Sequence, residues 1–432
     1  MALGRLAICA LVLLLGSQAS LGAHGSSHIH IRVHAAHATG NSKAAFSSSA
    51  PTAPIEPPSL SWFLLDPQQF QIASCASQTW EVTRKESSSL LSLYFKSIDA
   101  PGDQLIVSTL NGSYPQVLNG SDVSAGATTD PILGHSIKIE FLPSTQSSVG
   151  CKATGKLPTV QLEAVGVQWK KSQVTMDNMC STTRVMANAV CSKGAAQDTM
   201  YRHARAVLRI DLGDRKCTGW LWGNKGHIVT NHHCIYNQGV VDGARFQFGY
   251  ETKGCNDDSS KCNFVTCRES EGVALDGKNG AVKFIASDPI KDFAIVQIMD
   301  NPGWYVKAHG YLQIRNGQAK AGEVIYVPQH PKGDAKKIAT ASDNDPKTPA
   351  TITKVGIRVD LPDQIARTNL IELSADAKTS SSGSPVISAK DHLVVGLLFS
   401  GGCKASSALP CQTLSSRLSQ IVEDNDGIAF SP

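Results

Sequence analysis

From Ser59 onward, short runs of alternating or β-branched residues recur, cut apart by turn residues, and this limits the possible folds more than any other feature of the chain. Leu90 to Ser97, Gln104 to Thr109, Ser136 to Leu142 and Thr159 to Trp169 are such runs, with Ala100-Pro101-Gly102-Asp103 and Asn111-Gly112 reading as turns between them. Strands at this spacing predict a small antiparallel β-sandwich over residues 59–172. Beyond it, strands are expected at Ala206–Leu212, Gly226–Thr230, Arg245–Tyr250, Ala281–Ile285, Ala294–Ile298, Glu323–Pro328, Thr351–Val359, Leu370–Leu373, Pro385–Ile387 and His392–Phe399. Many strands and almost no helix make residues 173–432 an all-β, barrel-like unit. The one helix expected runs near Leu414, Leu418, Ile421 and Val422, which share a face.

The first residues carry a different signal. Arg5 precedes the short apolar stretch Leu6 to Leu15, and small residues follow, so residues 1–23 read as a secretory signal peptide. That stretch is too short to span a bilayer, and no later run is long enough. His24 to Pro58 is poor in apolar residues and rich in Ala, Ser, Thr and Pro, with five histidines, and reads as a propeptide or linker. His28 and His30 alternate as metal ligands can, but no partner residues accompany them, so no metal site is assigned.

Export and cysteine usage agree. The chain has 12 cysteines, and setting aside Cys9 leaves an odd number, mostly disulfides in an oxidising compartment. Cys75 and Cys151 alone fall in the first β-domain and are expected to pair. Asn111 and Asn119 stand in N-glycosylation sequons. A net charge of +4 over 432 residues, without a dense basic block, argues against a nucleic-acid partner.

Three residues in the second unit fit one chemistry. A serine hydroxyl is a poor nucleophile unless a base takes its proton, and the base needs a carboxylate to hold its tautomer. Ser382, followed by Gly383-Ser384-Pro385 and an apolar strand, can be presented by a tight loop; alone, the stretch is equally a Ser-rich surface turn. His233 lies between a β-run and Cys234, with Cys217 one strand earlier, where a disulfide could brace the histidine's loop. Asp292 stands immediately before Phe293-Ala294-Ile295-Val296, where burial would demand a partner for its charge.

Thr230-Asn231-His232-His233-Cys234, Asp292-Phe293-Ala294-Ile295-Val296 and Ser380-Ser381-Ser382-Gly383-Ser384-Pro385 resemble, in that order, the histidine, aspartate and serine motifs of chymotrypsin-like serine proteases. Cys217-Thr218-Gly219-Trp220, Tyr311-Leu312-Gln313-Ile314-Arg315 and Ile325-Tyr326-Val327-Pro328-Gln329-His330-Pro331 resemble the secreted lysyl-endopeptidase and bacterial trypsin-like branch. The resemblance covers Cys180 to about Cys411. It implies a chymotrypsin-like double β-barrel with the active site between barrels, and disulfides Cys217–Cys234, Cys191–Cys255 and Cys180–Cys403, leaving Cys262, Cys267 and Cys411 unassigned. It also implies a secreted, monomeric serine endopeptidase acting on protein or peptide substrates, with no cofactor. Ser382 is the nucleophile, His233 the base and Asp292 the orienting carboxylate. The amides of Ser380 and Ser382 form the oxyanion hole.

Asp376, six residues before Ser382, matches the trypsin pocket aspartate and implies a preference for Arg or Lys. Leu398 replaces the histidine of glutamyl endopeptidases, and the backbone of Phe399, Ser400 and Gly401 is expected to pair with substrate. Two positions depart from the family. Ser381 replaces the aspartate that receives a new N-terminus in trypsin-like zymogens, so that ion pair is not expected. Ser380 replaces the oxyanion-hole glycine, at a cost of about 1 kcal/mol if the loop keeps glycine's conformation. That departure motivates an alternative: a protease-like binding or adhesion protein with weak or no turnover.

Overall fold

The computed structural model describes residues 29–34, 60–65, 70–84, 88–123, 126–145, 149–169, 186–194, 198–213, 215–343, 345–359, 367–400 and 406–410. The signal segment, Cys180, Gly401, Cys403, Cys411 and the helix expected near Leu414 lie outside these residues.

The first unit is one nine-stranded sheet, built on the long strand Ser88–Ser108 and closed around one core, where the sequence pattern indicated a sandwich. The long strand's first half pairs antiparallel with Thr159–Trp169, and its second half with Ser136–Leu142 and Gln116–Val123. The alternating residues Leu91, Leu93 and Phe95 from one half and Leu105 and Val107 from the other are buried in one core. Trp80, Val82, Ile137, Ile139 and Phe141 complete it from neighbouring strands.

Ala100-Pro101-Gly102-Asp103, read from sequence as a turn, is instead a register break within this strand. Its physical reason is Asp103. That side chain is buried and accepts hydrogen bonds from the amides of Ser144 (2.7 Å) and Cys151 (2.9 Å), so the chain bends without reversing. A second difference lies in the stretch read as propeptide or linker. Ile29–His34 forms an edge strand paired with Gln78–Arg84. Within that polar stretch, Ile29, Ile31 and Val33 alternate with His30, Arg32 and His34, a strand pattern.

The second unit is a double β-barrel. One sheet runs in the order Ala274–Asp276, Arg245–Gln247, Val207–Asp211, Lys216–Trp222, His227–Thr230, Phe293–Ile298, Val282–Asp288. The other contains Met186–Asn188, Lys337–Ala339, Ile325–Gln329, Pro385–Ser388, Val394–Ser400, Ser406–Pro410, Arg367–Leu373 and Ile352–Val359. The core of the first barrel continues into Tyr326, Ile387, Val394 and Leu397 of the second, so the barrels meet on apolar surface. Short helices at Asp198–Ala204, Gln238–Gly243 and Pro302–His309 add to the strands, more helix than the sequence pattern indicated. The second of them is capped by Asn237, whose Oδ1 accepts from the Val240 amide at 2.9 Å.

Disulfides join Cys75–Cys151, Cys191–Cys255, Cys217–Cys234 and Cys262–Cys267. The last joins cysteines five positions apart, a pairing that no spacing rule had singled out. Among the described residues, no helix is long and apolar enough to cross a membrane.

Candidate active site

The site is built from the edges of both barrels. Strand His227–Thr230 ends in the turn Asn231 to Cys234, which carries His233, and strand Phe293–Ile298 begins one residue after Asp292. These two strands are hydrogen-bonded neighbours, Thr230 opposite Ala294. The histidine and the aspartate therefore emerge side by side. Asp292 sits in the left-handed backbone region, φ 58°, which its short polar side chain tolerates. The turn before it is shaped by Asp288, whose Oδ1 accepts from the amides of Ile290 (2.9 Å) and Lys291 (3.0 Å).

Asp292 and His233 form a closely bonded pair. The imidazole Nδ1 lies 2.8 Å from Oδ2 and 3.0 Å from Oδ1, and the His233 amide donates to Oδ1 at 3.0 Å. Asn231 Nδ2 donates to the Asp292 carbonyl at 2.7 Å. The aspartate side chain is 3% exposed and the histidine 42%, so the carboxylate lies behind the ring and the ring faces outward. This arrangement places the proton on Nδ1 and leaves Nε2 to accept another.

The loop bearing Ser382 comes from the second barrel and is bonded to the first through Thr218. The Thr218 amide donates to the Ser382 carbonyl at 2.9 Å, and its Oγ1 donates to the Ser380 carbonyl at 2.9 Å. Its own carbonyl accepts from Thr230 Oγ1 at 2.8 Å, and its hydroxyl accepts from the His330 amide at 3.1 Å. The disulfide Cys217–Cys234 then ties the neighbour of Thr218 to the neighbour of His233. Thr218 was not singled out from sequence. Its only signal was its place inside Cys217-Thr218-Gly219-Trp220. No hydrogen bond joins Ser382 to His233, a contact that often forms only with substrate bound.

Ser380 has φ 68°, the conformation that favours glycine, and Gly383 has φ 90°. The loop thus keeps its left-handed residue at position 380 and carries the strain. Among the described residues, no acceptor pairs with the amides of Ser380 and Ser382. Ser381, where zymogen relatives have aspartate, is buried and held locally: its Oγ accepts from the Lys378 amide (3.2 Å) and its carbonyl from Ser384 Oγ (2.6 Å). Ser380→Gly is expected to raise stability by about 0.5 kcal/mol, strain relief outweighing the added freedom of the unfolded chain. A chemical melt comparing the two midpoints checks it.

Asp376 is 7% exposed, and among the described residues its Oδ2 has no hydrogen-bond partner. Lys378 Nζ lies 3.8 Å away, an ion pair too long for a hydrogen bond. Burial pushes the Asp376 carboxyl up from its usual range, opposed by Lys378. The Asp376 carbonyl accepts from Gln329 Nε2 at 2.9 Å. Phe399 is half-buried against the first barrel's core, and Ser400 pairs with Ser407. Cys217, Cys234 and His233 bring possible metal-ligand atoms within 4.8 Å of one another. The two sulfurs are bonded to each other, so they offer no thiolate. His330 is fully buried, stacked on Tyr250 with rings 6° from parallel, and burial holds it neutral.

The family model of the lysyl endopeptidase C-terminal domain matches residues 181–412, more than half of the chain. The chain belongs to this family. Its second unit is a trypsin-like serine protease domain. A curated relative, the secreted RxLR effector protein 73 of Plasmopara viticola, is 35% identical over 208 residues, 47% of this chain and 46% of the relative. The chain thus spans about half the length of that relative. Among solved structures, the serine endoprotease from Yersinia pestis is 16% identical, covering 52% of this chain and 65% of that one, at a TM-score of 0.35. The HtrA-type protease AlgW with tripeptide is 17% identical, covering 55% and 64%, also at 0.35. Every residue of the site described above falls inside the matched family segment.

Proposed function

We propose that the chain is a secreted, monomeric serine endopeptidase in which Ser382, His233 and Asp292 form the catalytic triad. The observation that carries this reading is the buried Asp292 carboxylate bonded to both the ring and the amide of His233, beside a serine loop tied to the neighbouring strand Lys216–Trp222. His233 Nε2 takes the Ser382 proton as Oγ attacks the peptide carbonyl carbon. The resulting oxyanion receives the amides of Ser380 and Ser382. His233 then protonates the leaving amine as the C–N bond breaks, and water, deprotonated by His233, hydrolyses the acyl-serine.

The domain plan that goes with it is a signal peptide at 1–23, a segment at 24–58, the β-sandwich at 59–172 and the protease domain at 173–432. Export accords with four disulfides and with the secreted relative. Asn111, on the exposed turn between two sandwich strands, and Asn119 are the glycosylation positions of this reading.

A fluorophosphonate probe tests the triad. Stoichiometric labelling that disappears in Ser382→Ala is expected; a folded, processed chain that takes no label sinks the proposal. That second outcome is the one expected if the protein is instead a protease-like binding protein, a reading favoured by the strained Ser380.

We place the preference for Arg or Lys at Asp376, whose buried, partly unsatisfied carboxylate would receive the cationic side chain. Lys378 competes for it. Asp376→Ala is expected to lower kcat/KM for peptides ending in Arg or Lys, relative to Leu, by about tenfold to a hundredfold. Lys378→Ala should raise the same ratio. Fluorogenic peptides measure both, and an unchanged ratio in Asp376→Ala removes the residue from the pocket.

A further inference from the structure

The β-sandwich does not stand apart from the protease barrel. Trp62 and Tyr94, buried at 7% and 2% exposure, form with Ala164 a small apolar cluster on its outer face. Trp62 packs edge-on against His232, ring centroids 5.5 Å apart and planes at 77°. Tyr94 packs edge-on against Trp62 at 6.5 Å, and its hydroxyl donates to the Ser287 carbonyl at 3.4 Å. Ser287 Oγ lies 3.0 Å from His232 Nδ1. A side chain at Gly126 would meet the Tyr94 hydroxyl at 2.9 Å and the Ser287 carbonyl at 3.0 Å, so the two units touch without a gap. At the rim of the contact, Asn237 Nδ2 donates to Asp130 Oδ1 at 2.5 Å.

The protease residues in this contact flank the candidate triad. His232 sits between Asn231, which holds the Asp292 carbonyl, and His233, which holds its carboxylate. Ser287 precedes Asp288, whose side chain shapes the turn that presents Asp292. The clasp between His232 and Ser287 thus joins the two loops that carry base and acid. The sandwich covers that clasp from outside, and both of its protease members are nearly fully buried.

We propose that Trp62 and Tyr94 form a positioning surface through which the β-sandwich holds His233 and Asp292 in register, making the first unit an intrinsic activator of the second. The proposal rests on the triad reading for its effect on catalysis, and on the packing alone for its effect on the loop. Reacting groups displaced by about 1 Å can cost about a hundredfold in rate, so a partial loosening is expected to cost about tenfold. The pocket region around Asp376 lies in the other barrel and should be unaffected.

The experiment uses the full chain and follows fluorophosphonate labelling against probe concentration. Trp62→Ala is expected to lower the maximal labelling rate about tenfold while leaving the half-saturating concentration unchanged, and Trp62→Phe, which restores a ring against His232, to recover most of the rate. Ile139→Ala, in the sandwich core away from the contact, controls for stability: it should label at the wild-type rate below its melting temperature. A wild-type rate in Trp62→Ala, or an equal loss in Ile139→Ala, overturns the proposal.

Amide exchange of His233, Cys234 and Ile235, bonded to Asp292 or Asn231, needs no activity. Faster exchange in Trp62→Ala than in Ile139→Ala supports the clasp even in a chain that takes no label, an outcome that would remove only the triad reading. Equal exchange in the two variants overturns the clasp.

Discussion

Asp292→Asn is expected to yield a folded protein whose turnover is lower by about 10⁴-fold, with KM for peptide substrates little changed. The carboxylate accepts from two donors on one residue, the His233 amide at 3.0 Å and Nδ1 at 2.8 Å. An asparagine keeps one acceptor oxygen and turns the other terminus into a donor, so an NH₂ in place of Oδ2 removes the 2.8 Å acceptor of Nδ1. If the amide keeps the oxygen, the Asn nitrogen faces Nδ1 and forces the ring proton onto Nε2. The imidazole then presents a proton to Ser382 where it should accept one. The backbone argues that the variant folds, since Asn tolerates φ 58° as well as Asp does. Steady-state kinetics and a thermal melt together decide the matter. A rate within tenfold of wild type would show that Asp292 does not set the tautomer.

The second large effect is on the loop itself. Gly383→Ala is expected to cost about 4 kcal/mol, enough to leave a marginally stable domain largely unfolded. A β-carbon there would lie 2.0 Å from the Thr218 carbonyl oxygen and 2.5 Å from Thr230 Oγ1. Neither atom can give way cheaply. The first is backbone in a central strand, and the second is bonded to it. The residue also has φ 90°, so strain adds to the clash. A denaturant titration measures the loss. A variant within 1 kcal/mol of wild type would mean that the serine loop is not seated on Thr218.

How much of this was legible in the sequence differs by scale. Strands were legible because burial imposes alternation: Ser136–Leu142 and Thr159–Trp169 have the bounds that the pattern indicated. The bend at Ala100 to Asp103 was misread because Pro and Gly mark any departure from an extended chain, a bulge as readily as a reversal. The strand Ile29–His34 carries the same alternation in Ile29, Ile31 and Val33, but the low-complexity composition of the residues around it masked the signal. At the site, local motifs named His233, Asp292 and Ser382, but not the residue that links their loops. Thr218 acts through its backbone and hydroxyl on Ser380 and Ser382, far along the chain. Ser380 was recognisable as a departure, yet only φ 68° shows that strain was kept and the loop not rebuilt. The approach of Trp62 to His232 left no trace in any spacing, since neither residue belongs to a pattern that names the other.

The strand Ser88–Ser108 sets how the first unit comes apart. Its two halves share one core while pairing with different neighbours, so neither half has a core once the other is lost. The sandwich therefore has no stable half-structure to fall back on and unravels all at once. Tyr94 lies on that same strand, so when the sandwich opens as a whole its ring leaves the Ser287 carbonyl, and a population warmed or diluted in denaturant divides into intact and wholly open forms.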